Sequence, residues 1–261
     1  MKIGKILINS FLISLLIAQN IAIASISGNV KKEEIKGKNQ IVDSKTGRGI
    51  DRATVLIPSE NYRTLTDSDG GFEITKPIEK KSILSVEKEG YRPFSITIDK
   101  NSLQTPLKIG IEETKTGDIT LEDSLCHLGD NMYSSTSANS FEFKTQSCGT
   151  FYTKTFNLEK PKAGERKVLA IGSVIGLDTK EAKTLGQNNV TTAYSSPTEI
   201  FFNGQKIGEL KINGDNQMID IPNQLIRTKN ELTIKTGKNL FQRNYVDYDD
   251  IEIMNIRIET R

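Results

Sequence analysis

The sequence predicts an all-β protein built as two antiparallel β-sandwich domains, a small one followed by a larger one. Three observations point there. Short apolar runs with period-two alternation recur from residue 40 to the end of the chain. Turns rich in Gly, Asn, Asp and Pro punctuate them. No segment carries a helical period long enough to form a layer, and only 222–226 reads as a single helical turn.

The chain begins with a segment of a different kind. Lys2 and Lys5 make a positive start, 6–17 an apolar stretch, and Ala22-Ile23-Ala24 a small-residue ending, which together read as a secretory signal peptide over 1–24. The alternative is an uncleaved anchor, but the apolar core is short for a span and Asn9 and Asn20 flank it. No Cys follows to receive a lipid. The mature chain is expected from about Ser25, with a polar lead-in over 25–37, and its expected location is secreted, periplasmic or cell-surface.

The full chain has 261 residues, room for one large or two ordinary domains, with 35 Lys+Arg against 33 Asp+Glu. Two of the lysines and none of the acids lie in the leader, so the exported part carries 33 of each. A neutral chain lacks the basic stripe a nucleic-acid surface needs. No later stretch is apolar enough to cross a bilayer, so nothing spans a membrane once the signal is removed. Cys126 and Cys148 both lie in the exported part. An even count in an oxidising compartment suggests one disulfide, closing a loop of about 20 residues and contributing ~3 kcal/mol. Two buried free thiols are the alternative.

Strands are expected at 40–42, 53–57, 62–66, 72–74, 83–86 and 94–98, with turns at 46–49, 67–71 and 89–93. The order Val42-Asp43, Thr46-Gly47, Gly49-Ile50, Ala53-Thr54-Val55, then 66–72, then 86–93 resembles the carboxypeptidase regulatory-like domain, a transthyretin-type sandwich, over residues 38–112. The resemblance implies a non-catalytic module. Phe72 and Tyr91 are expected in its core, and Asp67 and Asp69 bond turn amides. A calcium loop is the other reading for those two, but no Glu follows at the required spacing. The chain cannot itself be a zinc carboxypeptidase, which needs two His ligands, because His127 is its one histidine.

Residues 113–119 are polar and read as a linker. Beyond them strands are expected at 141–143, 150–156, 168–174, 199–202, 207–210, 217–221, 231–235 and 251–258. Asn203-Gly204 suits a type I′ hairpin, and 179–197 reads as a long surface loop. The last strand has a slip in its pattern: Ile251 and Ile253, then Ile256 and Ile258. Pieces near 128–131, 156–158, 200–204, 219–222, 230–234 and 249–253 make residues 120–261 resemble the galactose-binding-like jelly rolls of carbohydrate-binding modules.

That resemblance implies a carbohydrate ligand and a structural calcium near the first and last strands, for which Asp130, Asp249, Asp250 and Glu252 are the candidate ligands. The chain has no Trp; Tyr133, Tyr152, Tyr194, Tyr245 and Tyr248 remain to meet a sugar. The loop 239–248, with Arg243, Asn244, Tyr245 and Tyr248, is the expected ligand surface. Ser134 to Ser140 lie near His127 and Asp130 in sequence, but the Gly-x-Ser-x-Gly turn of a nucleophile elbow is absent. The expected function is non-catalytic carbohydrate binding. The rival is a structural or adhesive surface protein that binds another protein.

Overall fold

The computed structural model describes residues 38–132, 143–188 and 194–261, and their regular secondary structure is nearly all β-strand. The expected signal peptide and lead-in, Ser134 to Ser140, Tyr133 and most of the strand expected at 141–143 lie outside the described residues. Phe143, the last of that stretch, is not in a strand.

The first sandwich holds β1 (Asn39–Asp43), β2 (Thr54–Ile57), β3 (Tyr62–Leu65), β4 (Gly71–Phe72), β5 (Ser82–Glu87), β6 (Phe94–Ile98) and β7 (Lys108–Ile111). One sheet runs β4-β1-β7 and the other β3-β2-β5-β6. Ile41, Val55, Ile57, Phe72, Leu84, Val86, Ile98, Ile109 and Ile111 fill the space between them. One ladder departs from the antiparallel expectation: β1 and β7 run parallel, Gln40 opposite Lys108 through Asp43 opposite Ile111. Asp67 serves its turn, accepting from the amides of Asp69 (3.0 Å) and Gly71 (2.7 Å).

The second sandwich holds β8 (Ile119–Glu122), β9 (Cys126–Leu128), β10 (Phe151–Asn157), β11 (Lys167–Ile175), a short helix α1 (Lys180–Thr184), β12 (Thr198–Phe202), β13 (Gln205–Leu210), β14 (Gly214–Ile221), β15 (Lys229–Lys235) and β16 (Ile251–Thr260). One sheet runs β14-β11-β16-β8, with β9 also on β16; the facing sheet runs β10-β15-β12-β13. Asn203 and Gly204 both have positive φ (51° and 79°), the pair a type I′ turn requires, and they join β12 to β13. α1 adds a short helix to what reads in the sequence as a long surface loop over 179–197. Thr179 caps it by accepting from the Ala182 amide at 3.0 Å, and Ala182 buries its inner side. None of the described helices is long and apolar enough to cross a membrane.

The two sandwiches meet. Residues Lys36–Arg261 form one compact unit, and every residue of β11 is buried, as are nine of the ten in β16. Leu169, Ile171, Ile253 and Ile256 face the second sandwich's own core. The outer face lies against the first sandwich: Met254 packs with Ile83 and Ile175, Asn255 donates to Ser85 Oγ at 3.0 Å, and Asp215 accepts from both Thr97 N and Oγ1 at 2.9 Å. The polar segment read as a linker is pinned rather than free. Arg92, in the first sandwich, pairs with Asp118 at 2.8 Å and with Glu112 at 2.6 Å, and Asp118 also accepts from Thr260 N at 2.9 Å.

The slip in the last strand has a structural counterpart. Ile171 pairs with Ile256 and with Gln217, and Ser173 with Met254 and with Asp215, so Gly172 lies between Asn255 and Asn216 on neighbouring strands. Both asparagines have positive φ (59° and 53°). Inward positions change parity there, from Ile253 to Ile256 on β16 and from Ile171 to Val174 on β11. Gly172 is required for another reason: a Cβ on it would sit 2.4 Å from Ser95 Oγ and 2.8 Å from Asn255 Cβ.

Because each sandwich covers a face of the other's sheet, residues 38–261 are expected to unfold in one transition followed by urea denaturation. Gly172→Val should lower the unfolding free energy by about 1–3 kcal/mol through overpacking, and with it the urea midpoint. Two separated transitions, or an unmoved midpoint, would show that β6 is not seated on this sheet.

Candidate functional site

The loop 239–248 is closed at its base and open at its tip. Asn239 N donates to Asp247 O at 2.8 Å, and its Nδ2 to Asp247 Oδ2 at 3.2 Å. Lys238 bridges Tyr248, and Tyr248 N donates to Asp130 Oδ2 at 3.0 Å. Asn239 Oδ1 turns the chain by accepting from Phe241 N at 2.9 Å, and Leu240 N reaches Tyr194 O at 2.8 Å. The tip side chains stand in solvent: Leu240 (64% exposed), Phe241, Arg243, Asn244, Tyr245 (42%) and Val246.

Of the four residues expected to bind ligand, Arg243, Asn244 and Tyr245 are therefore on the tip. Tyr248 is half-buried at the base, with Lys238 Nζ 5.2 Å from its ring centroid. The structure adds neighbours that chain order does not reveal. The rings of Tyr194 and Phe241 stack tilted at 5.6 Å, and Lys183 Nζ, from α1, lies 5.0 Å from the Tyr194 centroid and 3.2 Å from its hydroxyl. Lys183 became visible only once 180–184 proved helical.

The carboxylates proposed for calcium divide between the two faces of β16 and its approach. Ile251 and Ile253 point into the core, so Asp249 shares their side and Asp250 and Glu252 take the other. Asp249 is buried and accepts from Asp178 N at 3.2 Å; burial first, and the Asp178 charge beside it second, push its carboxyl well above the ordinary range. Asp130 is committed to two backbone amides, Met132 and Tyr248. Among the described residues no three carboxylate, imidazole or thiol groups gather as they would around a metal. The four residues do not fit one calcium ion.

Asp250 and Glu252 instead surround the one histidine. His127 lies opposite Glu252 in the β9–β16 ladder and is buried. Its Nδ1 lies 2.6 Å from Thr145 O and its Nε2 2.9 Å from Asp250 Oδ1, and the Phe143 ring packs edge-on at 5.0 Å. A carbonyl only accepts, so Nδ1 carries a proton. Burial alone lowers its pKa, but the Asp250 hydrogen bond and the Thr145 carbonyl outweigh that and raise it. Burial raises Glu252 to about 7, against a smaller pull down from His127. Both ring nitrogens are thus engaged inside the protein.

Cys126 follows the same strand. Its sulfur lies 2.7 Å from that of Cys148, the two standing as thiols, and Cys148 N donates to His127 O at 2.8 Å. Burial and the neighbouring sulfur raise the Cys126 thiol.

Comparison with known families finds that residues 35–121 match the family model described as the CarboxypepD_reg-like domain. The match covers the first sandwich and runs into β8, a strand of the second. No curated protein matches the chain.

The His127 cluster gives stability a pH dependence. Glu252 holds a proton in the fold up to about pH 7 but releases it near 4.5 when unfolded. Its contribution is full below 4.5 and lost as pH rises through 7, on the order of 3 kcal/mol. His127, also raised, contributes fully below its ordinary 6.5 and loses that as pH rises further. The urea midpoint should therefore fall from pH 4.5 to 8, and Glu252→Gln should flatten the fall. Parallel profiles for the two proteins would rule Glu252 out as its source.

Proposed function

We propose that this is a non-catalytic binding protein, secreted, periplasmic or held at the cell surface, whose loop 239–248 takes carbohydrate. The observation that carries the reading is the loop itself. Its base is closed by the Asn239–Asp247 and Tyr248–Asp130 hydrogen bonds, while Tyr245 stands exposed between Asn244 and Val246, with Arg243 beside it. An exposed ring offers a flat face to the C–H side of a sugar, and neighbouring amide and guanidinium groups address its hydroxyls. A base held in place beforehand lowers the ordering cost of binding.

Other features support the same reading. The two facing sheets of the second sandwich agree with a galactose-binding-like jelly roll. The buried His127, engaged at both nitrogens, supports a non-catalytic role. The first sandwich serves as a supporting module packed on the second. A Cys126–Cys148 disulfide belongs to the reading because the sulfurs already lie side by side. A second reading, adhesion to a protein, has one specific observation in its favour: Leu240 and Val246 expose aliphatic surface that sugars do not need.

On a glycan array the mature chain should retain at least one polysaccharide, and Tyr245→Ala should weaken retention by at least ~10-fold with an unchanged melting temperature. Failure of the wild-type chain to retain any glycan would sink the carbohydrate reading and leave the adhesive one. Thiol titration after denaturation without reductant should find no free thiol in exported protein; two would exclude the disulfide.

A further inference from the structure

Resting on the carbohydrate reading, we infer that loop 239–248 takes its sugar as the headgroup of a glycolipid, with the neighbouring apolar side chains of the tip entering the lipid surface. The observation is where the exposed apolar residues lie. Among the described residues ten large hydrophobic side chains stand exposed, and four of them fall within seven consecutive positions of this loop: Leu240 (64%), Phe241 (55%), Tyr245 (42%) and Val246 (53%). Leu65, Met132, Phe151, Leu185, Ile212 and Met218 stand singly along the rest. A lone exposed hydrophobe is ordinary on any protein surface, whereas several together mark a binding surface.

The backbone holds these side chains out. Asn239 N closes the base on Asp247 O at 2.8 Å, Leu240 N donates to Tyr194 O at 2.8 Å, and Phe241 N donates to Asn239 Oδ1 at 2.9 Å. The Phe241 ring lies 5.6 Å from that of Tyr194. Leu240 and Phe241 therefore offer apolar side chains whose amides are already bonded to protein oxygens. Carrying those amides out of water strands no donor, which is the condition for backbone to enter a lipid surface. Size favours lipid over a protein partner. A stable protein interface engages about 20–30 residues a side, and the short tip 240–246 falls well below that. Lipid binding scales with the apolar area buried and demands no matching shape. Hydrocarbon alone would leave Arg243, Asn244 and the Tyr245 hydroxyl unused. These exposed groups sit between the two apolar pairs in sequence, and a sugar headgroup standing on acyl chains meets both kinds at once. Tyr245, apolar in its ring and polar at its hydroxyl, suits the boundary between them.

The test compares glycolipid vesicles with their own headgroups. Binding of the full mature chain is measured to phosphatidylcholine vesicles carrying digalactosyldiacylglycerol or lipopolysaccharide, to phosphatidylcholine alone, and to the deacylated headgroup of each glycolipid in solution. At least one glycolipid vesicle should bind at least ~10-fold tighter than both its deacylated headgroup and plain phosphatidylcholine. Leu240→Ser combined with Val246→Ser should lower vesicle binding by at least ~10-fold while leaving headgroup binding and the melting temperature unchanged. Tyr245→Ala should weaken both kinds of binding. Equal binding of vesicle and headgroup, or free glycans retained with no vesicle binding, would overturn this inference and leave the carbohydrate reading intact. Binding of no glycan and no glycolipid would overturn both. Plain phosphatidylcholine bound as tightly as the glycolipid vesicles, or a serine variant that binds them as well as wild type, would also overturn the inference. A dimer in solution that the serine variant abolishes would overturn it by assigning the patch to a second copy of the chain.

Discussion

The central strands β11 and β16 of the sheet β14-β11-β16-β8 have no wet face, and much of the structure follows from that. A sheet covered on one side alternates apolar and polar residues. Covered on both, its central strands become continuous buried runs, as β11 does with Lys167 to Ile175. Polar groups that would ordinarily meet water must then find protein partners. Ser173 reaches Asp215, Asn255 reaches Ser85, and Glu259 is ringed by Arg92, Arg257 and Arg261. Buried ion pairs of this kind add little net stability, but removing one partner strands a charge. They penalise any sliding of one sandwich over the other.

Much of this fold was legible in the sequence. Period-two runs located most of the long strands, and Asn203-Gly204 announced its hairpin because only two positive-φ residues make that turn. What the sequence concealed was long-range. β7 alternates in burial over four residues, but its parallel pairing with β1 depends on a partner about seventy positions away in the chain. The polar composition of 113–119 resembles a flexible linker, whereas the Asp118 side chain is covered because Arg92 and Thr260 come to it from either side. Nothing local distinguishes a solvated aspartate from one that will be clasped.

The site divides in the same way. Arg243, Asn244 and Tyr245 were readable because a polar loop bearing an aromatic between two strands is a surface feature. Tyr248 lies half-buried at the loop's base, where Asp130 holds its backbone amide, a contact that chain order does not show. The carboxylates of the last strand were grouped because they are adjacent in sequence, yet adjacency on a strand sends side chains to opposite faces, which places Asp249 with Asp178 and Asp250 with His127. Tyr194 and Lys183 joined the loop through a backbone bond and a helix that chain order does not show.

The row of Asn216, Gly172 and Asn255 makes strand length a collective property. Each of these positions switches which side of its strand faces the core, and the three switch in step across neighbouring strands. A residue inserted into or deleted from any one of them would put its own change of side out of line with the other two, turning core residues outward over half a strand. Loops in this protein can lengthen or shorten independently. These three strands can change length only together, so variation among related chains should concentrate at the sandwich ends, where the tip of 239–248 lies.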